Sequence, residues 1–382
     1  MRGAMVKIVF FGHNSNEPTV RKRAHAFAAS GMDVVKIMPH RGPVRPDESD
    51  LISLGTTQDG AYFTRVLTLM KSGFLSAKTF PQLHQIDVIY ARNLDMLACA
   101  HAFRRFHKLR VPVIYEVLDI HPKMIGNSAQ SKALRRLERA LMRRSHALVY
   151  SSPRYIENYF DVYHPGDYQR YYWANRLAAD DVDERQQQLP TAQQGPIKLG
   201  WVGNLRCRKS MNLLKQLGGM FSPHLEIVIH GYPANTVFPD FAAEISQAKG
   251  MTYFGPYDRA TEVADVYTGL DLIWAADWFE SDQNSIWQIP NRIYEGGFFG
   301  VPALTLEGTE TARVVSDWQS GWAFRDPAEH TVPALVKRLL SARCEIEACS
   351  RNLMALPRDV FVEKPGELRQ LIEQIMATSQ AA

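Results

Sequence analysis

The stretch Val6–Pro39 reads VKIVFFGHNSNEPTVRKRAHAFAASGMDVVKIMP. VKIVFFG is a short apolar run broken only by Lys7, VRKRAHAFAASG has helical character and is closed by Gly31, and MDVVKIMP is apolar and β-branched again. A strand with little polar alternation is buried on both faces, so this β-loop-α-β order predicts a parallel sheet with helices on both sides. The alternation continues through IDVIYAR (Ile86–Arg92), VPVIYEV (Val111–Val117) and HALVYSS (His146–Ser152). From Tyr172 to Gly195 the rhythm is lost in ADDVDERQQQLPTAQQGP-type sequence, and it restarts with IKLGWVG (Ile197–Gly203), LEIVIHG (Leu225–Gly231), MTYFG (Met251–Gly255), LDLIWAA (Leu270–Ala276) and VPALTL (Val301–Leu306). The expected class is therefore α/β, two doubly wound parallel-sheet domains in tandem: residues 1–175, a linker 176–196, and residues 197–360. A last amphipathic helix within 361–382, ELRQLIEQIMA, can fold back onto the first domain. Ligands of such sheets bind at the carboxyl ends of the strands, so the cleft between two sheets is the natural site.

Composition narrows the function classes. The chain has 382 residues, 46% of them apolar, and a net charge of +4, too mild to point to nucleic acid. Cys99, Cys207, Cys344 and Cys349 have neither zinc-ligand nor disulfide-framework spacing and suit a reducing cytosol. The start, MRGAMVKIVFFGHN, carries an apolar run too short for a signal peptide, and no stretch approaches the ~18 apolar residues of a membrane span. In SKALRRLERALMRRSHA (Ser131–Ala147) the leucines 134, 137 and 141 recur at helical spacing beside Lys132, Arg135, Arg136, Arg139, Arg143 and Arg144. This basic amphipathic helix is either a surface helix docked by its leucines or a contact to an anionic bilayer.

Three glycine-bearing loops are candidates for a phosphate cradle. GHNSNEPTVRKR, with Gly12, Asn14 and Ser15, lacks the G-x-G-x-x-G of a dinucleotide fold, and its polar residues are candidates for the acceptor. GNLRCRKS (Gly203–Ser210) has Arg208 where a Walker loop needs its second glycine, which excludes an ATPase cradle, yet Gly203 followed by Arg206, Arg208 and Lys209 at a helix start suits a diphosphate. HGYP places Gly231 at an adjacent strand end, where a ligand could approach the backbone. Further on, NSIWQIPNRIYEGGFFGVPAL (Asn284–Leu304) sets Asn291, Arg292 and Glu295 close together before Gly296 and Gly297. Those glycines serve either helix–sheet packing, with a solvated Arg292–Glu295 pair, or the close approach of a ligand.

Taken together these motifs resemble the GT-B glycosyltransferases, especially those similar to glycosyltransferase family 4 and, within it, bacterial exopolysaccharide members of the succinoglycan type. The family has two Rossmann-like domains flanking a cleft. GNLRCRKS matches its G-R-L-x-x-x-K-G loop with Lys209 at the lysine, Asn204 in place of the arginine and Ser210 in place of the last glycine. YEGGFFGVPAL matches the E-x7-E helix, with Glu295 at the second glutamate, the ribose holder, and Trp287 where the first belongs. RKRAHAFAASGMDV, YARNLDMLACA, VIYEVLDIHP and NSIWQIPNRIYEGG resemble the same subset.

The resemblance implies transfer of a sugar from a nucleoside diphosphate donor, UDP-linked, to a lipid-linked saccharide on the cytoplasmic face of a membrane, with no cofactor. It also implies no metal, so fixed cations such as Arg206, Arg208 and Lys209 would stabilise the leaving diphosphate. Asp119, at the carboxyl end of VPVIYEV, is the favoured general base, with Glu116 and His121 its competitors; alternatively Asp119 caps the next turn. Two other readings stay open: a sugar-nucleotide epimerase on the same scaffold, and a non-catalytic nucleotide-sugar binder of a membrane assembly.

Overall fold

A computed structural model describes residues 5–44, 51–56, 85–182, 195–281 and 283–380. The chain divides into two compact units, Met1–Ala174 with Lys364–Ala382, and Asn175–Glu363. In the first, β1 (Lys7–Phe11), β2 (Asp33–His40), β3 (Leu51–Thr56), β4 (Val88–Arg92), β5 (Val113–Val117), β6 (Ala147–Tyr150) and β7 (Arg170–Tyr172) form one sheet in the order β3-β2-β1-β4-β5-β6-β7. Every pairing is parallel, and β1, β4 and β5 are buried along their whole length, which is why their sequences carry no alternation. One face packs Phe10, Phe27 and Tyr90 edge to face. The helix Glu367–Gln380 adds Leu368, Ile372 and Ile375 to that same core, each burial contributing about 1.5–3 kcal/mol.

The second unit holds β8 (Ile197–Leu205), β9 (Leu225–Pro233), β10 (Met251–Tyr253), β11 (Leu272–Trp274), β12 (Ala303–Leu306) and β13 (Gly321–Phe324), parallel in the order β10-β9-β8-β11-β12-β13. β8 and β9 run past Gly203 and Gly231, where the sequence reading ended them, because Asn204↔Tyr232 and Leu205↔Pro233 stay paired and Leu205 is buried. Residues 175–182 are part of this unit rather than linker. Leu177 is fully buried and bridges in parallel to Val362, and Asp181 pairs with Arg259 at 2.8 Å. The remainder of that segment, 183–194, lies outside the described residues.

The stretch 284–304 forms two helices, Asn284–Trp287 and Asn291–Phe298, with Pro290 as N-cap of the second in extended backbone. Its glycines serve packing: a Cβ on Gly296 would stand 1.8 Å from Ile273 of β11, and one on Gly297 2.5 Å from the Phe361 ring. The basic helix Ala129–Met142 buries only Leu141 of its three leucines. Ser131, Arg135, Glu138 and Met142 face inward while Leu137 is 45% exposed, because Glu138 accepts from the Tyr115 hydroxyl at 2.8 Å and from Tyr159 and His164. Arg135, expected on a membrane-facing surface, instead donates to the carbonyls of Met124 and Gly126 and lies over Tyr163.

Candidate active site

The carboxyl edge of the second sheet is built around Gly203 and Gly231, which sit opposite each other with φ of 109° and 135°. A Cβ on Gly231 would lie 1.8 Å from the Gly203 carbonyl oxygen, so the neighbouring strand, not the approach of a ligand, explains that glycine. Above Gly203, the Arg292 guanidinium lies 3.7 Å from where a Cβ would be, and it also donates to the Trp274 carbonyl at 3.2 Å. Strand order turns back between β8 and β11, so Arg292 occupies the crevice at the switch point of this sheet. The solvated Arg292–Glu295 pair does not form.

Glu295 is 3% exposed. Its Oε2 accepts from the hydroxyls of Tyr267 at 2.8 Å and Tyr257 at 3.4 Å, while Oε1 has Arg259 at 3.7 Å. Burial and the carboxylate's charge push the Tyr267 phenol well above its ordinary range, so it remains a donor to Glu295. Asn291 is half-buried at the first position of this helix.

The basic loop divides. Cys207, the N-cap of the helix Arg208–Phe221, accepts through Sγ from Ser210 and Trp278 backbone N–H groups, tying this loop to the segment after β11. Arg206 lies over Phe279 and 3.6 Å from Asp277. Lys209 is held by Asp326 at 2.7 Å above the Trp278 ring. Arg208, expected at the diphosphate, points the other way: it bonds Glu244 at 2.6 Å and the Val237 carbonyl, and stacks over Phe238. Asn204 is exposed, and Phe254, beyond β10, is exposed and stacks on His230 at 5.0 Å.

At the first sheet's carboxyl edge, Glu116 is 1% exposed and bound by Arg92 at 2.7 Å and Arg23 at 2.9 Å. Burial alone would raise its pKa, but the two guanidinium groups hold the carboxyl below its usual range. Glu116 is thus a fixed buried anion rather than a proton acceptor, and it explains why the first helix carries Arg23. Asp119 is exposed past the end of β5. The capping role belongs to His121, whose Nδ1 accepts from Lys123 N–H at 3.1 Å.

Of the residues expected to meet an acceptor, Gly12 is a packing glycine, since a Cβ there would come within 2.6 Å of Val20. Asn14 accepts from the N–H groups of Asn16 and Arg41 and so holds its own loop. Ser15 is 1% exposed, and its Oγ finds no partner among the described residues. The sequence reading passed over His13, which bonds Glu17 through Nε2. Its place directly after the first strand was the available signal.

No family model matches the chain. It is 33% identical over 354 residues to the succinoglycan biosynthesis protein ExoL of Rhizobium meliloti (strain 1021), spanning 91% of this chain and 88% of that protein. Among solved structures it resembles a sucrose-phosphate synthase of Thermosynechococcus elongatus (14% identity, TM-score 0.72, 98% of this chain and 100% of the other). It also resembles Anabaena HepE in complex with UDP and glucose (12%, 0.69, 99% and 100%) and the lipopolysaccharide glycosyltransferase WaaG (13%, 0.66, 96% and 99%). The chain belongs to the family of the succinoglycan biosynthesis protein ExoL, and its two parallel-sheet units have the GT-B glycosyltransferase fold.

Proposed function

We propose that this protein transfers a sugar from a UDP-linked donor to a lipid-linked saccharide in exopolysaccharide synthesis, without a metal. The observation that carries this reading is Arg292, a fixed cation seated between Gly203 and the Trp274 carbonyl at the switch point of the second sheet. Cleavage of the anomeric carbon–oxygen bond leaves a diphosphate, and a preorganised guanidinium stabilises the charge that develops there. Arg206 and the first N–H groups of the helix Arg208–Phe221 add to the field, and Lys209 joins them by exchanging Asp326 for the ligand. Glu295 meets the ribose through Oε1, the oxygen that holds no tyrosine hydroxyl. The binding of UDP by HepE and the descent shared with ExoL support the donor class and the pathway class.

The acceptor's lipid places the protein at the cytoplasmic face of a membrane. Among the described residues no helix is long and apolar enough to cross one. The docking surface is the outer side of the helix Ala129–Met142, where Arg136, Arg139, Arg143 and Arg144 are exposed together with Leu137. A hollow of about 260 Å³ there is lined by Lys132, Arg135, Arg136, Arg139, Val162 and Tyr163, with no acidic side chain.

Calorimetry of UDP binding tests the donor site. Arg292→Ala raises the Kd for UDP at least tenfold while Arg208→Ala leaves it within twofold; equal effects overturn the assignment. Release of UDP from a panel of UDP-sugars in the presence of membrane lipid extract, but not in its absence, separates transfer from epimerisation and from binding alone.

A further inference from the structure

Glu295 has one oxygen occupied and one guarded. The carboxylate itself is fixed in place, because its helix, Asn291–Phe298, meets Ile273 at Gly296 and Phe361 at Gly297 without room for a Cβ at either glycine. Two tyrosine hydroxyls, Tyr267 at 2.8 Å and Tyr257 at 3.4 Å, donate to Oε2. Burial and the Glu295 charge push both phenols up, so both keep the protons they donate.

Oε1 faces a guanidinium that stops short of it. Arg259 opens the helix Arg259–Thr268, which also supplies Tyr267, and its Nη1 lies 3.7 Å from Oε1. That is roughly 1 Å beyond a charge-assisted hydrogen bond. An arginine free to turn would close the gap, since attraction between opposite charges is strong where water is scarce.

Asp181 is what holds it back. Asp181 Oδ2 takes the other terminal nitrogen of Arg259, Nη2, at 2.8 Å, and the two side chains are only 17% and 5% exposed. Backbone contacts fix Asp181 in turn. Its Oδ2 also accepts from the Ala178 N–H at 2.8 Å, Leu177 N–H donates to the Phe361 carbonyl at 2.8 Å, and Arg358 donates to the Val182 carbonyl at 2.7 Å. Asp181, Arg259 and Glu295 all belong to the second unit.

We propose that Asp181 is a positioning residue for donor binding: it draws Arg259 away from Glu295 and so keeps Oε1 open to a ribose hydroxyl. The proposal rests on the reading of Glu295 as the ribose contact. With Asp181 present, the Arg259 charge offsets that of Glu295 across the gap without occupying the oxygen. Without Asp181, the guanidinium moves about 1 Å onto Oε1, and a ribose hydroxyl has to displace it before it can bind. Part of the segment that the sequence marks as linker thus governs nucleotide affinity without touching the nucleotide.

The test is calorimetry on the full chain with UDP, 2′-deoxy-UDP and 3′-deoxy-UDP. Asp181→Ala raises the Kd for UDP about tenfold. Arg259→Gln alone leaves it within threefold of wild type, because Oε1 stays open and the tyrosines still hold Oε2. Adding Arg259→Gln to Asp181→Ala returns the Kd to within threefold of wild type, since the group that closes on Oε1 is gone. This rescue separates the proposal from loosening of the fold, which a second lost side chain does not repair. A Kd for Asp181→Ala within twofold of wild type, or a double variant that binds no more tightly than Asp181→Ala, overturns the proposal. So does a loss of about tenfold or more in Arg259→Gln alone, which makes Arg259 a ligand contact. Equal Kd values of the wild type for UDP and both deoxy analogues refute the ribose assignment and the proposal with it, and absence of UDP binding by the wild type refutes the transferase reading.

Discussion

Glu116→Gln tests whether the buried carboxylate of the first unit is a structural charge. It removes the anion and keeps the shape, leaving Arg92, at 1% exposure, and Arg23, at 4%, facing an amide whose N–H groups are donors like their own. Breaking a buried ion pair by removing one partner destabilises by about 3–5 kcal/mol, because a buried charge is left uncompensated. With tenfold for every ~1.4 kcal/mol, hydrogen exchange of amides that open only on unfolding of the first unit should accelerate about 10²- to several-thousand-fold. The peptides to follow by mass spectrometry are those of β4 and β5, with β8 and β11 as internal controls that stay as in wild type. The pH dependence has a definite sign. The folded pKa of Glu116 lies below its ordinary 4.5, so its contribution is complete above that pH and is lost as pH falls through the lower, folded value. The difference between wild type and variant is therefore constant at neutral pH and shrinks only in acid. Acceleration of β4 and β5 exchange by less than about tenfold at pH 7 would refute the reasoning and reopen Glu116 as a proton carrier.

Two other expectations concern the second unit and the basic helix. Gly231→Ala must place a Cβ against the Gly203 carbonyl at positive φ, so it should destabilise the second unit by about 3 kcal/mol or more; urea unfolding followed by tryptophan fluorescence reports this unit, since every tryptophan but Trp173 lies in it. The double variant Arg136→Gln, Arg139→Gln should lose sedimentation with anionic vesicles at low salt while Arg135→Lys, at a side chain directed inward, should sediment as wild type does; wild-type protein that stays in solution with such vesicles would end the membrane reading.

What the sequence determined by itself was everything that depends on local periodicity. Strand-length apolar runs alternating with helices define two parallel sheets, because burial on both faces leaves a mark on each strand separately. Gly203 follows from the same logic, since the carboxyl edge of a parallel sheet is where its strands end, whereas Arg292 and Glu295 stand out through the glycine pair beside them and the resemblance to the glycosyltransferases. The partners of polar groups were decided only by tertiary structure. Arg208 and Lys209 are adjacent in sequence, yet one faces Glu244 and the other Asp326, and no local pattern distinguishes them. By sequence Glu116 competes with Asp119 for the role of base, and only Arg23, distant in the chain but beside it in the fold, makes it a fixed anion. Gly12, Gly231 and Gly296 read as openings for a ligand or as packing until the atoms facing their missing Cβ positions were in place. His13 and Glu17 meet within one loop, but Asn93 reaches His13 only through the pairing of β1 with β4. Hydrophobic patterning records which side of an element is buried; the choice of which charges and hydroxyls meet is made by contacts between elements, and single residues do not encode it.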